Sequence, residues 1–179
     1  MATSSLRSLA RHLEVPERTL RRAATDGLIH GHRVSERRYE TSLREEAYLR
    51  RHWPLLRALR AALRTEPNVR LAVLFGSFAT GRATETSDVD VLVLLADGTA
   101  ARVAQLTGRL ETRLGRDVQL VRLEEAERSP GLLADALEHG RVLIDRDAHW
   151  PELKQDEPRW RERALAEVPL EDAIPDLDL

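Results

Sequence analysis

Apolar residues follow two different rhythms along this chain, and the change comes near residue 67. Before it, Leu6, Leu9, Ala10 and Leu13 recur at i, i+3, i+4 and i+7, the stripe of a short amphipathic helix. Pro16 suits the first position of a second helix, where its missing N–H would be unpaired anyway. Leu20, Ala23 and Ala24 form the apolar face of that helix, and Gly27 is a good C-cap. Arg18, Arg22 and Thr25 lie opposite Leu20, with Arg21 to one side. Two short helices with a tight turn make a helix-turn-helix. Leu28-Ile29, a polar stretch holding Gly31, and Arg37-Arg38-Tyr39 then predict a small two-stranded wing. Ser42-x-x-Glu45 is a capping box for a third helix. This helix runs to Trp53, breaks or kinks at Pro54, resumes through Leu55, Leu56, Leu59, Ala62 and Leu63, and ends at Pro67.

From residue 68 strands alternate with helices. Val69–Phe75, Val89–Leu95, Val118–Leu123 and Val142–Asp145 predict four strands. Thr99–Leu114 is a helix with Val103, Leu106, Leu110 and Leu114 on one face, and Ser129-Pro130 opens another that closes at Gly140. Residues 148–179 suggest one short helix near Trp160–Glu167 within a loose acidic tail. The expected organisation is α+β: residues 1–41 a winged helix-turn-helix, 42–66 a linker helix, 67–147 an α/β domain with a mixed sheet, and 148–179 the tail.

Composition narrows the chemistry. With 42% hydrophobic and 32% charged residues among 179, the chain can form a packed core. It has no cysteine, which removes disulfides, zinc fingers, iron–sulfur ligation and thiol nucleophiles together. Its apolar runs fall far short of the roughly 20 residues that span a bilayer, and residues 1–15 carry no signal-peptide pattern. A soluble, cytoplasmic protein with no membrane partner is expected. The net charge of −2 hides an uneven distribution: residues 1–66 hold 14 arginines against eight acids, and residues 150–179 hold nine acids against four bases. That asymmetry points to a polyanion-binding N-terminal part. Every basic residue but Lys154 is arginine in all segments alike, so arginine usage itself carries no functional message.

The richest segment runs Leu74-Phe75-Gly76-Ser77-Phe78-Ala79-Thr80-Gly81-Arg82, followed by Thr86-Ser87-Asp88-Val89-Asp90-Val91. A strand feeds a Gly-Ser turn, and the next strand opens with two aspartates at i and i+2, whose carboxylates share a face. Close carboxylates repel unless a cation sits between them, and an oxygen-rich set suits magnesium. Gly76 lets backbone approach a phosphate closely, and the amides and Ser77 hydroxyl can bind its oxygens.

Gly76-Ser77, ten intervening residues and Asp88-Val89-Asp90 resemble the signature of the DNA polymerase β-type nucleotidyltransferase superfamily. The likeness is greatest to its minimal members and covers about residues 67–147, including the order of elements. The resemblance implies a nucleoside triphosphate, ATP, carried by Mg2+ on Asp88 and Asp90, with Gly76 and Ser77 at the phosphates. Family patterns often place an arginine where this chain has Thr80; Arg82 lies nearby, as a phosphate contact or as a surface residue. The family's third carboxylate falls at Gln119, which cannot ionise, and Asp117 is the one carboxylate near enough to replace it. Minimal nucleotidyltransferases commonly act as antitoxins that transfer AMP onto a small helical toxin, and the missing acceptor-binding domain favours a protein acceptor over an antibiotic.

Leu6–Tyr39 is similar to winged helix-turn-helix DNA-binding domains. Arg18, Arg21 and Arg22 would enter the major groove of duplex DNA, and Arg33, Arg37 and Arg38 would serve the wing, in a homodimer. A solvated arginine face on a helical docking module is the plainer reading. His30 and His32 are expected in phosphate contacts or solvation, and His139 at a helix C-terminus. Two functions stay open: a nucleotidyltransferase, supported by Asp88 and Asp90, and a non-catalytic transcriptional regulator with a degenerate nucleotidyltransferase domain, supported by Gln119.

Overall fold

A computed structural model describes residues 3–35 and 38–167. Arg37, expected in the wing, and residues 168–179 of the expected tail lie outside the described residues. In chain order the elements are β1 (Thr3–Ser5), α1 (Leu6–His12), α2 (Glu17–Thr25), β2 (His32–Ser35), β3 (Arg38–Ser42) and α3 (Leu43–Arg64). There follow β4 (Val69–Leu74), α4 (Gly76–Thr80), β5 (Val89–Leu95), α5 (Ala100–Leu114), β6 (Val118–Arg122), α6 (Leu123–Ala126) and α7 (Pro130–His139). The described chain closes with β7 (Arg141–Asp145), α8 (His149–Gln155) and α9 (Glu157–Ala166).

The four apolar runs of the second half assemble into one sheet of order β6-β5-β4-β7. It is mixed: β5 pairs parallel with β6, while β4 runs antiparallel to both β5 and β7. Strand alternation splits its side chains between two layers. Val69, Ala72, Leu74, Val89, Val91 and Val93 face α3 and α5, whereas Leu71, Val73, Leu92 and Val121 face α7 and α9. The first half has a smaller sheet of order β1-β3-β2, so the expected two-stranded wing gains a third strand from the residues preceding α1.

Helix α3 is continuous through Pro54, where the sequence suggests a break. A helix-interior proline loses a hydrogen bond and costs about 3 kcal/mol. Leu49, Trp53, Leu56, Leu59 and Leu63 are all buried along the same helix and offset that cost by burial. The capping box is half made. The Ser42 hydroxyl accepts from the Glu45 N–H at 3.1 Å, but the Glu45 carboxylate turns away to Arg141. At the other end of α3, Arg146 donates to the carbonyls of Arg64, Glu66 and Val69.

One buried cluster runs from Leu6, Leu9, Leu20 and Leu28 through Leu49 and Leu56 of α3 to Val91, Leu106 and Leu143. The supposed linker helix is therefore a shared wall. The stretch expected as a loose tail is also different up to Ala166. Asp145 caps α8 by accepting from the His149 and Trp150 N–H groups at 3.0 Å each. Trp160 of α9 is buried against the second cluster, and Arg161 pairs with Glu138 of α7. The short helix expected near Trp160–Glu167 is the second half of α9, whereas α8 and the start of α9 were hidden by their acid content. Among the described residues, no helix is long and apolar enough to cross a membrane.

Candidate functional site

Strand β4 ends in the core and delivers the chain to a tight turn. The Phe75 N–H donates to the Asp90 carbonyl at 3.0 Å, tying the turn to β5. Gly76 then adopts φ +67°, in the left-handed region that favours glycine. A Cβ at this position would stand 2.5 Å from Asp90 Oδ2, so backbone and carboxylate meet where only glycine fits. Phe78 and Ala79 anchor α4 in the core. The Thr80 hydroxyl is committed to α4 itself, donating to the Gly76 and Ser77 carbonyls at 3.2 Å. The Ser77 carbonyl also accepts from Arg82 and Ala83, closing the turn.

Asp90 sits second in β5, half-buried, on the face opposite Val89 and Val91; Asp88 precedes the strand and is exposed. Burial first, and the charge of Asp88 second, push the Asp90 carboxyl above the usual carboxylate range. In the parallel register with β6, Gln119 is the direct partner of Asp90. Asp117 comes just before that ladder, and its carbonyl accepts from Val89 at 3.0 Å. Neighbouring strands lie about 4.8 Å apart, so Asp88, Asp90, Asp117 and Gln119 gather at one strand edge. Among the described residues there is no group of three or more ligating side chains that could enclose a metal ion. Two carboxylates suit instead an ion that takes its remaining oxygens from phosphates and water, as magnesium does.

Residues 57–149 match the family of polymerase beta nucleotidyltransferases, half the chain and the whole of this site. The chain belongs to that family. Two solved structures share the nucleotidyltransferase fold. A toxin–antitoxin complex with AMP-PNP is 27% identical with a TM-score of 0.52, over 63% of this chain and 90% of that one. A mutant of the MntA–HpeT toxin–antitoxin pair, with two aspartates two positions apart changed to glutamate, is 25% identical with a TM-score of 0.50, over 65% and 90%. No curated protein matches the chain.

Other expected residues of the nucleotidyltransferase domain lie elsewhere. Arg82 is exposed and lines a cleft of about 890 Å³ with Arg51, Tyr48 and His30, away from the two aspartates. Arg116, which carried no signal in the sequence, donates to the Glu85 carbonyl at 2.8 Å and lies 5.5 Å from the Phe78 ring centre. It thereby ties the loop before Asp88 to α4. His30 is not a solvated wing residue: its Nε2 meets the Gly140 carbonyl at 3.0 Å and its N–H donates to Glu45. Burial and the Arg141 charge hold its pKa below the usual histidine value.

Arg18, Arg21 and Arg22 are exposed on α2. Arg21 is paired with Glu17 at 2.6 Å, and Arg18 and Arg22 line a shallow depression with Arg7 and Thr25. Arg33 is exposed on β2 and donates to the Ser35 carbonyl, while Arg38 on β3 is ion-paired with Glu40.

Proposed function

We propose that this chain is a Mg2+-dependent nucleotidyltransferase that binds ATP and transfers AMP onto a protein partner, a small helical toxin, in an antitoxin-like role. The observation that carries this reading is the meeting of the Gly76 turn with the Asp90 carboxylate, which allows nothing larger than hydrogen on Gly76. Asp88 and Asp90 would hold the ion, which supplies charge neutralisation at the triphosphate when bound. The Ser77 hydroxyl and turn amides would orient the phosphates, and Asp117 would accept the proton of the attacking hydroxyl. The complex with AMP-PNP among the structural neighbours supports a triphosphate here, and both neighbours support a toxin partner. The test is incubation with α-labelled ATP, magnesium and a candidate helical toxin. Label should pass to the toxin with wild type and be lost with Asp88→Asn or Asp90→Asn; transfer that survives both changes would overturn the site.

A second reading is favoured by one observation: Gln119, not a carboxylate, stands beside Asp90. In that case the domain binds nucleotide without transferring it, and the chain is a non-catalytic regulator of transcription. Under either reading we assign residues 1–41 to a winged helix-turn-helix that binds duplex DNA as a homodimer. The exposed Arg18, Arg21 and Arg22 on α2 and Arg33 on the hairpin support it. Replacing Arg18, Arg21 and Arg22 by alanine should weaken DNA binding and flatten the log–log salt slope by about 0.9 per lost phosphate contact. An unchanged slope would count against DNA.

A further inference from the structure

We propose that a groove lined by arginines, between α3 and the α1–α2 pair, is a docking site for an acidic, aliphatic peptide, and that its occupant is the chain's own segment 168–179. The groove encloses about 750 Å³ and is separate from the nucleotide site. Arg57 and Arg64 of α3 and Arg113 of α5 line it, and among the described residues none of the three side chains has a hydrogen bond or ion pair. Its apolar surface comes from Leu13, Leu28, Pro54 and Ala61. Trp53 also lines it and is 4% exposed, yet its indole N–H is buried with no acceptor; the Arg60 Nε is likewise unmet. Three unmatched cations and an apolar floor ask for one kind of ligand. It must bring carboxylates and aliphatic side chains together. A nucleic-acid backbone supplies the anions but no aliphatic groups.

Segment 168–179 has this chemistry. Its sequence carries Glu171, Asp172, Asp176 and Asp178 with no basic residue, interleaved with Leu170, Ile174, Leu177 and Leu179. Twelve extended residues reach about 40 Å. Of the two helices that lead to it, α8 passes close to Gly27, beside Leu28 of the groove: a Cβ at Gly27 would stand 3.8 Å from Trp150 Nε1. Docking would match the arginines with carboxylates and cover the apolar floor with aliphatic side chains.

The full chain lacks cysteine, so paired thiols report on this contact without background. Ala61→Cys in the groove is combined with Leu177→Cys, and as a control with Leu165→Cys, which is 70% exposed on α9. Under a mild disulfide-forming oxidant at low salt, the first pair should cross-link at least about tenfold faster than the control. Arg57→Glu with Arg64→Glu should remove that advantage, and Glu171→Lys, Asp172→Lys, Asp176→Lys and Asp178→Lys together should restore it in that background. A band at monomer mass places the segment in its own groove and one at dimer mass places it in a partner's; both support docking. Thermal melts confirm that each variant is folded. Equal rates for the two pairs, or rates indifferent to the charge changes, overturn the proposal. So does protection of the thiol at position 61 by a DNA duplex while the segment fails to cross-link.

Discussion

Glu45→Leu should be among the most damaging single changes in the molecule, although Glu45 touches none of the residues assigned to nucleotide. Glu45 and Arg141 are 6% and 3% exposed and form a two-pronged pair, Nη1 to Oε1 at 2.6 Å and Nη2 to Oε2 at 2.8 Å. The same guanidinium donates to the Ala79 carbonyl at 2.9 Å and the Leu28 carbonyl at 3.2 Å, and lies 3.5 Å from the centre of the Tyr48 ring. It thus ties the N-terminal helices, α3 and α4 at one point. Removing the carboxylate leaves a buried cation without its counter-charge, which costs about 3–5 kcal/mol. In a chain of this size about 1 kcal/mol moves Tm by roughly 2–4 °C, so the expected drop is roughly 6–20 °C. Arg141→Met should cost a similar amount by stranding the carboxylate. The double variant should be no less stable than the worse single one, because the charges vanish together while two carbonyls lose their donor. Urea and thermal unfolding of all four proteins complete the cycle. Single losses below about 1 kcal/mol, or losses that add within about 0.5 kcal/mol, would refute the reasoning.

Gly76→Ala should fold with a loss of about 1–2 kcal/mol from the left-handed backbone, and its methyl, 2.5 Å from Asp90 Oδ2, should reduce nucleotide affinity at least about tenfold by calorimetric titration; full affinity would show that the turn does not meet phosphate. Asp117→Asn should abolish AMP transfer with nucleotide binding nearly intact, and Gln119→Asp should preserve or raise transfer; normal transfer without Asp117 would send the search for the base elsewhere. Burial lowers the pKa of both His30 and His52, so the unfolded chain takes up protons first as pH falls below about 6.5. Stability should therefore be full above that value and decline below it, before most carboxylates titrate; a Tm unchanged between pH 7.5 and pH 5.5, or a decline that survives His30→Gln with His52→Gln, would contradict this.

The second half of the fold was legible because its strands are short apolar runs bounded by turn residues. β4, β5, β6 and β7 fall within a residue or two of their expected limits. The Gly-Ser turn and the two aspartates stand out in the sequence for a related reason: they lie within fifteen residues of one another, with Asp90 in β5 and Asp88 just before it. What escaped was set by distant partners. Nothing near Ser42 says that Glu45 will leave the capping box for a guanidinium 96 positions away. Nothing near Gly115 says that Arg116 will bind the Glu85 carbonyl, 31 positions back. His30 looked like a wing residue because its acceptor, Gly140, is 110 positions distant. Pro54 looked like a break or kink because local propensity carries no knowledge of the leucines that hold α3 together across it.

The shared cluster around α3 makes the chain a weld rather than a tether. A recombination breakpoint at residue 66 would strip Leu56, Leu59 and Leu63 of the sheet they cover, and would bare Val89, Val91 and Leu143 on the other piece. Neither half could be traded into a new context without repainting a whole face. An ancestor that joined these parts by fusion must since have let their interiors merge, and a calorimeter should register that merger as one melting peak in place of two.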